Sequence, residues 1–137
     1  MTEPGSVEEL PIRTGDDVVR VRQLVRVRAQ AVKLSLVDQT KLVTAASELA
    51  RNTLVHGGGG TARVEVVKSA NGRVGVKLYF TDEGPGISDI DLALTDGWTT
   101  GTGLGLGLSG TRRLVDEFEL TSAPGAGTSI VVVKWSR

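Results

Sequence analysis

Five short valine- and leucine-rich runs read as strands, and three longer stretches read as helices. Residues 7–12 form a short edge strand, a place where Pro11 is tolerated. Residues 14–17, Thr-Gly-Asp-Asp, are a good helix start with acid in the first turn. The stretch that follows, 17–36, is two-faced. Val19-Arg20-Val21-Arg22 and Val25-Arg26-Val27-Arg28 alternate as strands do, yet Val18, Val21, Leu24, Val25, Val32 and Leu36 also share one helical face. About 20 residues without a turn exceed an ordinary strand, so a helix is expected, its arginines snorkelling around an apolar stripe. A second helix begins at Ser35 or Asp38 and runs to about His56, with Leu42, Ala45, Ala46, Leu49 and Thr53 as its buried stripe; the glycine run 57–60 ends it.

Residues 61–69 and 73–81 are two strands around Asn71-Gly72, a strong hairpin signal. Residues 84–102 lack apolar periodicity and read as a long loop with one helical turn near 90–94; a loop of that length in a small domain is usually functional. Residues 104–117 read as a helix opening from a glycine run, and 118–122 and 128–135 as the last strands, joined through Pro124-Gly125-Ala126-Gly127. The expectation is one α+β domain over 1–137 with a flexible tail at 1–6. It is a two-layer α/β sandwich, with helices on one face of a mixed, mostly antiparallel sheet.

Composition narrows the chemistry. Sixteen basic and sixteen acidic residues cancel, which gives no support for a nucleic-acid partner. The absence of cysteine excludes a disulfide scaffold, thiol catalysis and Cys-based metal sites, and a single histidine excludes a multi-histidine metal site. No apolar run approaches the roughly 20 residues that cross a bilayer, and the first residues do not read as a secretory signal, so a cytoplasmic protein is expected. Of the 18 glycines, four form the run 57–60 and eight lie between 84 and 110, both groups between apolar segments, which places them in loops of a folded domain.

Three segments hold polar or glycine residues that a plain core does not require. Glu48 and Asn52 are four apart on the second helix and share a face, with His56 extending the row. A carboxylate and a carboxamide so placed can hold magnesium and orient a nucleophile; the same row also reads as a solvated helix face. Asp82 ends a strand before Gly84 and Gly86, where it can accept from an exocyclic amine while the glycines let backbone approach a planar ring; an ordinary Asp-Gly turn reads equally well. Thr100-Gly101-Thr102-Gly103-Leu104-Gly105-Leu106-Gly107 precedes a helix and offers free N–H groups to phosphate, or a glycine hinge for a moving lid. It is neither a Rossmann fingerprint nor a Walker loop.

Glu-x-x-x-Asn on a helix, Asp-x-Gly-x-Gly after a strand and alternating glycines before a helix together resemble the GHKL ATPase superfamily with its Bergerat nucleotide fold. Gly125-Ala126-Gly127-Thr128 resembles the family's final box. Within that superfamily, residues 47–52, 96–108 and 113–118 are similar to the anti-sigma-factor serine/threonine kinases of bacterial partner-switching systems, in particular the stressosome switch kinases.

The resemblance implies transfer of the ATP γ-phosphate to Ser or Thr of a STAS-domain antagonist, with the released kinase engaging a PPM-type phosphatase or a sigma factor. It implies Asn52 as magnesium ligand, Glu48 as general base and Asp82 as adenine partner. Gly86 would support the ring, Gly84 and Ile87 would join it among the ATP-binding residues, and Thr128 would assist through water. Gly101, Gly103, Gly105 and Gly107 would bind phosphates and hinge an ATP lid at about 84–103, with Thr100, Thr102, Leu104 and Leu106 also among the ATP-binding residues. His56 and Arg51 are possible phosphate contacts; a dipole-stabilised helix-end histidine and an ion pair or partner contact are their plainer roles. The Val/Arg stretch 18–28 is the candidate docking surface, with an exposed helix face as its alternative. A regulator that acts by binding ATP and partner alone uses many of the same residues, but it has no need of a base at Glu48.

Overall fold

The computed structural model describes residues 6–84, 107–122 and 124–137. In chain order the elements are β1 (Val7–Ile12), α1 (Gly15–Ala31), α2 (Leu36–Val55), β2 (Gly60–Lys68), β3 (Val74–Asp82), α3 (Gly107–Arg112), β4 (Glu117–Ser122) and β5 (Thr128–Trp135). The strands form one sheet in the order β1-β2-β3-β5-β4, and all four ladders are antiparallel where a mixed, mostly antiparallel sheet was expected. Gly86, Ile87, the glycine string from Thr100 to Leu106 and most of the expected lid lie outside the described residues.

The two-residue strand period sorts the sheet into two faces. Ala62, Val64, Val76, Leu78, Phe80, Ile130 and Val132 are buried on the face that meets the helices. Val21, Val25 and Ala29 of α1 and Leu42, Ala46, Leu49 and Ala50 of α2 close the core from above. The expected α2 stripe is therefore buried throughout, Thr53 included. On the opposite face the Arg63 guanidinium and the Lys77 ammonium stand 5.0 and 5.2 Å from the Tyr79 ring centroid, and the Tyr79 hydroxyl donates to Glu65 at 2.8 Å.

Local chemistry explains the boundaries. Thr14 caps α1 and closes a reciprocal box with Asp17. The Asp17 carboxylate accepts from the Arg13 and Thr14 N–H groups at 2.8 and 3.1 Å and from Arg20 at 2.6 Å. The Arg13 hydrogen bond is the largest of the influences that hold this carboxyl below the usual aspartate range, against the opposing effect of desolvation.

α1 ends five residues earlier than the apolar periodicity suggests, and Leu36 is 78% exposed in the first turn of α2 rather than buried on α1. The stop is a Schellman closure: the Leu34 N–H bonds Ala29 O and the Lys33 N–H bonds Gln30 O, both at 3.0 Å. Lys33 holds the left-handed position, at φ 62°, that glycine usually fills. Buried Leu34 supplies the apolar anchor, and Ser35 then caps α2 by accepting from the Asp38 N–H at 3.1 Å. In the β2–β3 hairpin, Gly72 at φ 87° follows a turn closed by its N–H on Ser69 O at 3.0 Å, so the loop is longer than a two-residue Asn-Gly turn.

The expected helix 104–117 also stops short, at Arg112. The chain beyond it is drawn into the sheet by Asp116, whose N–H donates to Val133 O at 2.9 Å and whose carboxylate accepts from the Trp135 N–H at 2.8 Å. Lys134, 4% exposed on the helix-facing side of β5, lies 3.5 Å from both Asp116 and Asp38. Arg137 joins the cluster at 2.5 Å from Asp116. These charges tie the start of α2, the α3–β4 turn and the end of β5 together. Desolvation alone would raise the Asp116 carboxyl, but the Trp135 N–H, Lys134 and Arg137 together hold it below the ordinary value.

Lys134→Ala removes the shared cation from two acids and should destabilise the fold by about 3 kcal/mol in urea unfolding. Asp116 binds its proton less readily when folded. Its contribution is thus present above its unfolded pKa of about 3.9 and is lost as pH falls through the lower folded value. Unfolding measured at pH 7 and pH 3 should show Asp116→Asn losing less stability on acidification than the unsubstituted chain.

Candidate functional site

One row of residues runs across the sheet at the end nearest the C-terminus of α2. Gly60 pairs with Asp82, Asp82 with Thr128, and Thr128 with Ser122. In-register residues share a face, so the Asp82 and Thr128 side chains are neighbours on the helix-facing side. Asp82 Oδ1 accepts from the Gly84 N–H at 2.9 Å, which fixes the carboxylate in a local turn. Ser122 Oγ donates to Gly127 O at 2.9 Å and lies 3.0 Å from Thr128 Oγ1.

Backbone closes on Asp82 from two sides. A Cβ on Gly57 would lie 2.3 Å from Asp82 Cγ and 2.6 Å from Oδ2. One on Gly84 would lie 2.7 Å from Gly57 Cα, and one on Gly127, at φ 78°, would lie 2.2 Å from Asp82 O. The loop after α2 therefore sits directly on the end of β3, an approach that only residues without side chains permit.

That contact sets the height of α2. The Asn52 carbonyl accepts from the His56 and Gly57 N–H groups at 2.9 and 3.2 Å. The Thr53 carbonyl accepts from Gly59 at 2.9 Å, while the buried Thr53 hydroxyl returns to Leu49 O at 2.9 Å. The last turn of α2 is thus secured to the glycine loop that touches Asp82. Asn52 and His56 are half-buried on that turn and the residue that caps it; Glu48 is half-buried one turn earlier, with Arg51 beside it. Glu48 also lines a groove of about 440 Å³ between α1 and α2, together with Arg22, Arg26, Gln30, Thr44 and Ser47.

The structure thus brings Asp82 and Gly84 against Gly57, just beyond the α2 helix that carries Glu48 and Asn52, with Thr128 paired beside Asp82. Gly107 is the first residue of α3. Gly57 and Ser122 belong to this site although no motif singled them out. The glycine run at 57–60 reads simply as a helix terminator, and Ser122 stands out only once the 122–128 pairing is known. Among the described residues no three His, Asp or Glu side chains converge as a metal site. Magnesium nonetheless suits the oxygen available at Asn52, because it commonly takes one or two protein oxygens and completes its shell with phosphate and water.

Gly57→Ala should destabilise the chain by roughly 1–3 kcal/mol through overpacking against Asp82. Gly15→Ala, where a Cβ meets nothing within 4 Å, should be neutral or slightly stabilising. Chemical denaturation of the two variants side by side measures the difference.

Residues 37–136 match the family model described as histidine kinase-, DNA gyrase B-, and HSP90-like ATPase. The chain is 45% identical to the serine/threonine-protein kinase RsbT of Bacillus subtilis over 126 residues, 92% of this chain and 94% of the relative. It is 27% identical over 117 residues to an anti-sigma F factor of Thermoanaerobacter, 83% of this chain and 82% of the relative. In fold it is similar to the RsbU and RsbW domains of Rv1364c from Mycobacterium tuberculosis, at a TM-score of 0.64 and 20% identity, over 98% of this chain and 34% of that longer one. The mycobacterial sensor histidine kinase MprB is similar at a TM-score of 0.53 and 21% identity, over 96% and 99% of the two chains. A sheet end that holds Asp82 against the terminus of a Glu-x-x-x-Asn helix accords with these matches: the chain belongs to the histidine kinase-, DNA gyrase B- and HSP90-like ATPases and, among them, to the serine/threonine-protein kinases of the RsbT kind.

Proposed function

We propose that the protein is the kinase of a bacterial partner-switching system, acting in the cytoplasm to phosphorylate a Ser or Thr of a STAS-domain antagonist. Released from that antagonist, it engages and activates a PPM-type phosphatase. The observation that carries this reading is the stacking of Glu48 and Asn52 on the helix whose end rests on Asp82. Purine, phosphates and substrate hydroxyl can then be strung along one line, from the sheet end up the face of α2.

In the proposed reaction Asp82 accepts a hydrogen bond from the adenine amino group, with Thr128 assisting through water. Gly86 supports the ring, with Gly84 and Ile87 among the ATP-binding residues, and Gly101, Gly103, Gly105 and Gly107 bind the phosphates and hinge an ATP lid at about 84–103. Asn52 would hold a magnesium ion, which neutralises charge on the phosphate oxygens. The hydroxyl oxygen of the substrate forms a bond to the γ-phosphorus as the bond to the β–γ bridging oxygen breaks and ADP departs. The hydroxyl proton passes to the Glu48 carboxylate. Such transfer depends on alignment and charge neutralisation more than on covalent help from the protein.

The α1–α2 groove is the proposed docking surface for the partner. Two cations, Arg22 and Arg26, favour an acidic segment there, and Glu48 lines the same groove. The likeness to an anti-sigma factor favours a second reading, in which the chain controls a sigma factor by binding alone.

Asp82→Asn should weaken ATP binding roughly ten- to hundredfold in calorimetry, the equivalent of about 1.5–3 kcal/mol for a charge-assisted hydrogen bond. Glu48→Gln should keep ATP and partner binding yet slow single-turnover transfer at least about 100-fold, whereas Asn52→Ala should lose both Mg-ATP affinity and transfer. Transfer by Glu48→Gln at the unsubstituted rate would remove the general-base role. A bound STAS partner that the unsubstituted chain never phosphorylates would favour the binding-only regulator.

Reversing the groove charge with Arg22→Glu and Arg26→Glu together should raise the apparent KM for the protein substrate without changing ATP affinity. Unchanged KM in the folded double variant would move the docking surface elsewhere.

A further inference from the structure

We propose that Ser122 fixes the direction of the Thr128 hydroxyl, and that this makes the purine pocket selective for a 6-amino over a 6-oxo nucleotide. The inference rests on the reading of Asp82 and Thr128 as the purine pocket. Its basis is a count of protons along one row of the sheet, Asp82, Thr128 and Ser122, whose side chains stand in register across β3, β5 and β4.

A serine hydroxyl has one hydrogen to give. That of Ser122 goes to the Gly127 carbonyl at 2.9 Å, the backbone of the turn just before β5. In the 3.0 Å contact between Ser122 Oγ and Thr128 Oγ1 the hydrogen must therefore come from Thr128. With its proton committed sideways, Thr128 turns only lone pairs toward Asp82 and the ligand. The Asp82 carboxylate likewise only accepts, and its Oδ1 is already held by the Gly84 N–H at 2.9 Å. Among the described contacts the row therefore offers acceptors and no donor.

The amino group at C6 of adenine carries two hydrogens and satisfies such a row, either directly or through one water. The C6 carbonyl of hypoxanthine or guanine has none, so acceptor would face acceptor and buried lone pairs would go unpaired. A polar site left unsatisfied in this way discriminates more strongly than a missing apolar contact does. A freely rotating Thr128 hydroxyl could instead turn its hydrogen toward the carbonyl. On this account Ser122 positions Thr128 and touches no reacting atom; its effect is on which base is accepted.

The test compares binding of ATP and inosine triphosphate, which differ in the group at C6, to the full chain in the presence of magnesium. The unsubstituted protein should favour ATP. Ser122→Ala should cut the ATP-to-ITP affinity ratio about tenfold, chiefly by improved ITP binding, as expected when one hydrogen-bond mismatch is relieved. Ser122→Thr keeps the hydroxyl and should restore the ratio, and Ser122→Cys, a weaker acceptor, should fall between. A purely structural role for Ser122 would weaken both nucleotides by the same factor.

An unchanged ratio in Ser122→Ala, or equal affinity of the unsubstituted chain for the two nucleotides, overturns the inference while leaving ATP binding in place. No binding of either nucleotide by the unsubstituted chain overturns the pocket itself and this inference with it.

Discussion

The contact between Gly57 and the Asp82 carboxylate is the constraint on which the site depends. It is a contact of backbone on side chain, closer than any Cβ would allow. It sets how far α2 can slide along the sheet, and so where Glu48 and Asn52 stand relative to the end of β3. Helix and strand come from distant parts of the chain, yet the approach leaves their relative height little freedom. Interiors packed to crystal density resist small displacements, which makes such a contact a useful ruler.

The two ends of α2 are held by different physics. At the start, charge does the work: Asp38 and Asp116 gather around Lys134 and Arg137 and join the helix to the last strand. At the end, steric closeness and hydrogen bonds to the Asn52 and Thr53 carbonyls take over.

Much of this was legible in the chain. The bounds of β1 and β5 and the α2 stripe follow from apolar spacing, and the α+β sandwich follows from the order of elements. Taken together the three polar motifs resemble a nucleotide-binding family, although the glycine string among them lies outside the described residues. What escaped was set by conformations that pattern does not encode. Lys33 ends α1 in a left-handed turn usually marked by glycine, and the apolar spacing continues through it to Leu36. Residues 113–117 continue a helical rhythm, but hydrogen bonds from Asp116 to β5 draw them into the sheet. Gly57 and Ser122 matter through partners far away in sequence, so their roles emerge only with the strand register.

Among the described residues, β1 and β4 are the two edge strands of the sheet. β1 carries Glu8, Glu9 and a proline with no N–H to offer, and β4 carries Glu117 and Glu119. A foreign strand that tried to extend the sheet would meet carboxylates on either side and a missing donor on one. Lengthening the sheet by strand exchange, the route by which many regulators capture extended peptides and by which edge strands seed aggregates, is thereby discouraged. Association is left to side-chain surfaces, which can be released and reoccupied without unzipping a ladder of backbone hydrogen bonds.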